Sequence, residues 1–205
     1  FPPIIRARVL SKLLREKEAV NFIANFDLIS GGSNELLSKL LSGRLDFSLI
    51  GSVAPLVHPN LTVQALDQRE FYIFASQDNP LSQKSEISFE EALDYPFILL
   101  EESFVHAKAF QNLKDKYQKD AKVLLHFSDV QTIGQLVKSN IGITLMTDFL
   151  PFRDMENLVK IPLAAKDKEI FYVQYAYLKT AVLNEDLQQL VAMLDKLAKV
   201  EDTLR

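Results

Sequence analysis

The stretch Gly31–Gly51, GGSNELLSKLLSGRLDFSLIG, carries a turn, a helix and a strand within a few residues. Four leucines between positions 36 and 41 form one apolar helix face, and Gly43 is placed to end that helix. In RLDFSLI, apolar and polar residues alternate, which predicts a strand. Because NFDLIS before the helix also has a strand pattern, the order predicts a right-handed parallel crossover unit.

The turn before this helix uses small polar residues. Ser33 or Asn34 can cap the helix by accepting a hydrogen bond from a free backbone N–H. Gly31 and Gly32 let backbone N–H groups approach a ligand closely. Helix starts beyond the carboxyl ends of parallel strands attract anions, so the turn is also a candidate ligand contact. Both interpretations, cap and ligand contact, stay open from the sequence.

The rest of the chain repeats this alternation of strands and helices. Ile4–Glu18 has helical spacing, and Ser88 with Glu91 forms a capping box. A second helix, Phe104–Lys119, carries a predicted apolar stripe of Phe104, Ala107 and Phe110. Ser128 or Asp129 is expected to cap VQTIGQLVKS, and Asn184 a closing leucine-rich helix. The predicted strands are LTVQAL, REFYIFAS, PFILL, KVLLHF, GITLM, LVKIPL and EIFYVQYAYL, which together indicate an α/β fold with parallel, helix-covered sheets.

Composition excludes several classes of protein. The 205 residues are 48% hydrophobic and 24% charged, as in globular domains. A net charge of −4 argues against nucleic-acid contact by these residues. The chain has no cysteine, which fits a reducing compartment, and we expect a cytoplasmic protein with no membrane association. No signal peptide is visible, and the opening FPPII has the character of an internal start.

The sequence contains little that indicates catalysis or metal binding. The sequence has no G-x-S-x-G elbow, no phosphate-binding glycine loop and no H-E-x-x-H. His58, His106 and His126 show no metal-ligand spacing, and the adjacent Glu101 and Glu102 point in different directions. We therefore expect no catalytic residue, no metal and no cofactor, and hence no enzyme.

Three motifs in order resemble the effector-binding region of LysR-type transcriptional regulators: GGSNELLSKLLSGRLDFSLIG, NPLS and NIGITLM. They are similar to that family's turn before a leucine-rich helix, its strand entry, its HPL turn and its G-x-G-I strand. PPII and SFVHAKAF further resemble a branch found in lactic acid bacteria. The family's helix-turn-helix and a strand expected just before Phe1 would lie upstream.

The resemblance implies a two-lobed fold like type 2 periplasmic binding proteins, with two doubly wound sheets joined by two crossover strands. We expect one lobe at 1–70 plus 166–205 and the other at 71–165. A small effector, an organic acid or another anion, would bind in the cleft between them. A homodimer or tetramer is implied, with DNA bound only through the N-terminal domain.

Helix starts and strand ends facing such a cleft give the candidate ligand contacts. His106 could pair with a carboxylate, although a lone histidine is more often structural. Arg6 would clamp a carboxylate if it points into the cleft, and would otherwise face solvent. Asp129 is favoured as a cap because its charge would repel an anion. The predicted ligand-binding set is Arg6, Ser33, Asn34, Ser103, His106, Ser128, Thr147 and Phe149.

Two other functions remain open on this fold, because fold alone does not decide function. One is an extracytoplasmic solute-binding protein of a transporter, which an upstream leader sequence would reveal. The other is an enzyme such as a phosphoribosyltransferase or a deaminase of tetrapyrrole synthesis. The deaminase is a poor match, because its cofactor is attached through a cysteine and this chain has none.

Overall fold

The computed structural model describes residues 1–13, 22–148 and 156–203. The chain divides into two compact units, Phe1–Gln68 with Tyr172–Arg205, and Arg69–Phe171. Two strands, β2 (Leu61–Ser76) and β7 (Ile170–Leu178), run from one unit into the other. The first of these is unit 1 and the second is unit 2.

Unit 1 is built around the leucine face of the opening stretch. Its helices are α1 (Pro3–Leu13), α2 (Ser33–Leu41) and α6 (Glu185–Thr203), and its first strand is β1 (Ser48–Ser52). β1 pairs antiparallel with β7, with Ser48 opposite Ala176. Leu36 and Leu40 of α2 are fully buried and form one cluster with Ile50, Leu61 and Ala176. The period of the leucines therefore selects the helix face that packs on the sheet.

Unit 2 contains a mixed sheet flanked by helices. Strands β3 (Phe97–Leu100) and β4 (Val123–Phe127) are parallel, and a parallel bridge joins Phe97 to Ile143, just before β5 (Thr144–Thr147). β2 pairs antiparallel with both β5 and β6 (Leu158–Pro162). Further elements are short 3-10 helices at Pro80–Gln83 and Ala165–Asp167. The remaining bounds are α3 Phe89–Ala92, α4 Val105–Tyr117 and α5 Val130–Lys138.

The predicted strand at NFDLIS is wrong. Residues 27–32 have no regular secondary structure, and Leu28 and Ile29 are 41% and 40% exposed. An apolar run becomes a strand only when a neighbouring strand takes up its backbone hydrogen bonds, and no described strand does so here. The predicted parallel crossover around α2 is therefore absent from the described residues, and parallel pairing is found in unit 2, at β3 with β4 and with residue 143.

Most of the predicted N-terminal helix caps are confirmed. Ser88 Oγ accepts a hydrogen bond from the Glu91 N–H at 3.2 Å. The Asp129 carboxylate accepts from the N–H of Gln131 at 2.9 Å, so Asp129, not Ser128, caps α5. The Asn184 side chain accepts from the Leu187 N–H at 2.9 Å.

Two helix predictions need correction. α1 is described to Leu13, and the rest of the predicted Ile4–Glu18 helix lies outside the described residues. The predicted apolar stripe of α4 is correct only at Phe110: Phe104 and Ala107 are partly exposed, and the buried residues are His106, Ala109, Phe110 and Leu113. Gly43, by contrast, has φ +70°, which confirms its place after the end of α2.

A buried carboxylate, Asp167, holds three segments of unit 2 together. Its side chain is 1% exposed and accepts a hydrogen bond from the Phe89 N–H at 2.7 Å, at the start of α3. It also accepts from Lys116 Nζ at 2.8 Å and from the Tyr117 hydroxyl, both at the end of α4. Burial alone would raise the pKa of Asp167, but these hydrogen bonds outweigh it and lower that pKa.

We expect Asp167→Asn to destabilise the protein by about 2–3 kcal/mol, because a neutral amide replaces a fully buried carboxylate that accepts hydrogen bonds from the Phe89 N–H, Lys116 and Tyr117. Asp94→Asn is the matched control: Asp94 pairs with Lys119 but its side chain is 63% exposed. The control should cost less than about 1 kcal/mol. Urea unfolding measures both values, and equal losses in the two variants would contradict the structural role of Asp167.

Candidate functional site

Ser33 joins the two ends of the stretch that defines unit 1. Its side chain is 4% exposed, and its Oγ accepts a hydrogen bond from the Gly51 N–H at 2.9 Å. The residue at the cap position of α2 is Gly32, and no side chain caps this helix. The prediction that Ser33 or Asn34 caps α2 is therefore wrong, because Ser33 is the first helical residue and its side chain turns inward to β1. A hydroxyl keeps one donor proton after accepting a bond, so Ser33 can still donate.

Asn34 lies beside Ser33 in the first turn of α2, and it is exposed. Glu35 follows it and forms an ion pair with Lys39 at 2.6 Å. The hydrogen bond and charge of Lys39 lower the pKa of Glu35. The start of α2 therefore carries a carboxylate whose charge is already partnered by a neighbouring ammonium.

In unit 2, His106 and Thr147 are brought together. His106 is the second residue of α4, and its Nε2 lies 3.2 Å from Thr147 Oγ1, at the end of β5. Both side chains are buried, at 3% and 0% exposure. Burial lowers the pKa of His106 to about 3, so the imidazole is neutral at physiological pH. His106 can exchange hydrogen bonds but cannot supply positive charge to an anion.

The other predicted residues are separate from this pair. Ser103 and Ser128 are exposed in the turns before α4 and α5. Arg6 is half-buried in the first turn of α1. Phe149 lies outside the described residues. Of the predicted residues, Ser33 accepts a bond from Gly51 in unit 1, and His106 is bonded to Thr147 in unit 2.

Unit 1 also contains a cavity of about 360 Å³ that includes none of the eight predicted residues. It lies beside residues 25–29, residues 45–47 and the start of α6. Its lining combines apolar side chains with polar ones, among them Asp27, Asp46 and Asp186. Three carboxylates disfavour an anionic ligand, so this cavity does not match the predicted effector chemistry.

Thr144 and Gln174 are among the buried polar residues that the sequence did not reveal. Thr144 Oγ1, in β5, is buried and has no hydrogen-bond partner among the described residues. Gln174, in β7, donates to Ser52 Oγ at 2.9 Å and accepts from the Leu56 N–H at 2.8 Å. The available signal was a polar residue inside an apolar strand pattern, in GITLMT and in EIFYVQYAYL.

Acidic and histidine side chains of the described ranges form no group of three or more that could hold a metal ion. The described helices also include none that is long and apolar enough to cross a membrane.

We expect Ser33→Ala to lower the free energy of unfolding by about 1–3 kcal/mol, because the buried Gly51 N–H loses its acceptor. Asn34→Ala is the control, since Asn34 is exposed one position away on the same helix; it should change stability by less than about 0.5 kcal/mol. Chemical unfolding of the two variants measures the difference. A Ser33→Ala protein as stable as the wild type would show that the Ser33–Gly51 bond contributes nothing.

His106 should make stability fall at acidic pH. Its folded pKa of about 3 lies below the unfolded value of 6.5, so the unfolded chain binds the extra proton. This contribution is complete above pH 6.5 and is lost as the pH falls towards 3, by about 1 kcal/mol per pH unit. Urea unfolding at pH 7.5, 6 and 5 should therefore show a shallower pH dependence for His106→Gln than for the wild type.

The control is His126→Gln, which removes an exposed histidine of β4 and keeps the buried His106. If the pH dependence of His106→Gln is as steep as that of the wild type, the burial of a neutral imidazole at position 106 is wrong.

Comparisons with known proteins give the family. The family described as the LysR substrate binding domain matches residues 1–199. The malolactic fermentation system transcriptional activator of Lactococcus lactis subsp. lactis (strain IL1403) is 42% identical over 197 residues, covering 96% of this chain and 66% of the activator. An uncharacterized HTH-type transcriptional regulator of Bacillus subtilis, YybE, is 27% identical over 137 residues, covering 67% of this chain and 46% of that protein.

Solved structures show the same fold. The effector binding domain of QuiR in complex with shikimate matches with a TM-score of 0.73 at 16% identity, covering 97% of this chain and 92% of that one. The Synechocystis PCC6803 CcmR regulatory domain in complex with 2-PG matches with a TM-score of 0.77 at 20% identity, covering 97% and 94%. The type 2 periplasmic-binding-protein-like α/β fold is thereby confirmed. Because the family match spans nearly all of its residues, this chain belongs to the LysR substrate-binding domain family.

Proposed function

We propose that this chain is the ligand-sensing part of a longer LysR-type transcriptional regulator and that it binds a small anionic effector. The observation that carries the proposal is the 42% identity to a transcriptional activator over 96% of the chain. The chain spans 66% and 46% of the two curated relatives, so the activity of the whole protein belongs to this proposal.

The helix starts support an anionic effector. The cap positions of α2 and α4 are Gly32 and Phe104, which provide no side-chain cap, whereas Asp129 caps α5. Uncapped helix starts leave N–H groups with a positive potential, which favours a carboxylate or a phosphate. Shikimate and 2-PG are the molecules in the structures of two neighbours of this fold. Arg6, in α1, is the candidate cation of unit 1.

The candidate contacts are the residues predicted from the sequence, with changed roles. Ser33 would donate its hydroxyl proton rather than act as a cap, and Asn34 would offer its exposed amide. His106 and Thr147 would act as neutral hydrogen-bonding groups. Ser103, Ser128 and Phe149 complete the proposed set.

Its partners follow from the same proposal. The regulator would be a cytoplasmic homodimer or homotetramer and would contact DNA only through an N-terminal helix-turn-helix outside these residues. The chain would carry no cofactor and catalyse no reaction. A solute-binding protein of a transporter is the alternative on this fold, and the family match and the activator relative do not favour it.

A thermal-shift screen of organic acids tests this proposal. We expect at least one of L-malate, L-lactate, citrate, shikimate and 2-PG to raise the melting temperature, since a ligand at 100 times its Kd stabilises the folded state by about 2.7 kcal/mol. Ser33→Ala should weaken that binding about tenfold, through the loss of one hydrogen bond.

The control is Asp94→Asn, an exposed ion-pair variant of unit 2, which should bind as the wild type does. Stabilisation by neutral sugars but by none of the acids would contradict an anionic effector. If Ser33→Ala binds the acid with unchanged affinity, Ser33 does not contact the ligand and has only a structural role, through its bond to Gly51.

A further inference from the structure

Each of the two strands that pass between the units has a buried phenylalanine where it crosses the boundary of unit 2. Phe71, in β2, lies two positions after Arg69, where unit 2 begins, and Phe171, in β7, is the last residue of unit 2. The two side chains are 1% and 3% exposed. Their ring centroids lie 6.0 Å apart in an edge-to-face arrangement, and the Phe71 N–H donates to the Glu169 carbonyl at 3.2 Å. The two strands are thus in direct contact where they enter.

The His106 ring touches both phenylalanines. Its centroid is 5.3 Å from that of Phe71, edge to face, and 5.3 Å from that of Phe171, in a tilted arrangement. The Nε2–Thr147 bond anchors the same ring to β5, and Thr147 pairs directly opposite Phe71 in the sheet. We call Phe71, His106, Thr147 and Phe171 the entry cluster. Through it, one imidazole connects α4, β2, β5 and β7.

A histidine at this place restricts the arrangement more than a phenylalanine would. A buried imidazole nitrogen without a partner is costly, and Thr147 supplies the hydrogen bond that the structure describes. In the orientation that makes this bond, the ring also contacts both phenylalanines. His106 also lies in the first turn of α4, the uncapped helix start of unit 2. A shift of that turn must therefore move the ring.

We propose that the entry cluster is a positioning device: the His106 ring, held by Thr147, fixes β2 at Phe71 and β7 at Phe171 to the start of α4. Loosening one of these elements then loosens the others. The mechanical part of this proposal needs no ligand. Its use in sensing rests on the proposed function, because an effector at the start of α4 would then change how firmly the two strands are held.

Amide hydrogen exchange of the ligand-free protein tests the mechanical part. Phe171→Leu removes a ring from the cluster, and Phe110→Leu is its matched control. Phe110 is a buried residue of α4, the helix that carries His106. Its ring centroid lies 5.6 Å from that of Phe89 and 4.9 Å from that of Phe97. Phe171→Leu should raise exchange about tenfold at residues 69–74 and 104–107 and leave β3 unchanged, whereas Phe110→Leu should affect β3 and leave 69–74 unchanged.

The hydroxyl of Thr147 gives a rescue experiment. Thr147→Val removes the bond to His106 and should raise exchange at 69–74 and 170–173, whereas Thr147→Ser keeps a hydroxyl and should restore most of the protection. An equal rise over all of unit 2 in Phe171→Leu, Thr147→Val and Phe110→Leu would overturn the proposal, since the cluster would then be ordinary core.

The sensing part is tested by adding the panel of L-malate, L-lactate, citrate, shikimate and 2-PG at 10 mM each to the wild type and to Phe171→Leu. A bound acid should slow exchange at 69–74 in the wild type. In Phe171→Leu it should bind with a Kd within about threefold of the wild type but no longer slow exchange there. Equal slowing in both proteins would overturn the signalling role. If no acid of the panel binds, the proposed effector class fails, and the ligand-free exchange still decides the role of the cluster.

Discussion

The positions of β2 and β7, the two strands that extend over both units, constrain the packing of each unit. β2 continues for 16 residues, and its burial changes along its length from partly exposed near residues 64 and 65 to almost fully buried at residues 71–76. β7 supplies the antiparallel partner of β1 in unit 1 and the Phe171 contact in unit 2. Because neither unit has a separate copy of these strands, a change in their positions must be accommodated by the cores of both.

Buried polar groups hold the elements that adjoin these strands. Ser33 binds the backbone of Gly51 in β1, and Gln174 of β7 binds Ser52 and the Leu56 N–H. In unit 2, Asp167 joins α3 to the end of α4, and His106 joins the start of α4 to Thr147. Such bonds are directional, so they select one arrangement of elements that apolar packing alone would allow to slide. Burial leaves the imidazole of His106 neutral, and an anionic effector would then depend on N–H groups, hydroxyls and Arg6.

The sequence predicted what depends on local periodicity and capping chemistry, and failed where burial by distant residues decides. Leu36 and Leu40 of α2 and the caps Ser88, Asp129 and Asn184 are local signals, and the structure confirms them. Leu41, predicted on the same apolar face, is exposed. NFDLIS has a strand pattern, but a strand needs a pairing neighbour that the pattern cannot supply. Ser33 lies one position inside the helix rather than at its cap, which reverses the direction of its side chain. The burial of His106 and Asp167 arises from contacts more than 40 positions away, and no local pattern reveals it.

The backbone amides that a small acid perturbs show whether it binds at an uncapped helix start, as proposed. A ¹H–¹⁵N correlation spectrum of the chain, titrated with L-malate, L-lactate and shikimate, reports each backbone N–H separately. We expect saturable shift changes at residues 33–35 and 104–107. Changes confined to residues 25–29 and 45–47 would place the ligand in the cavity of unit 1 and would contradict binding at the helix starts.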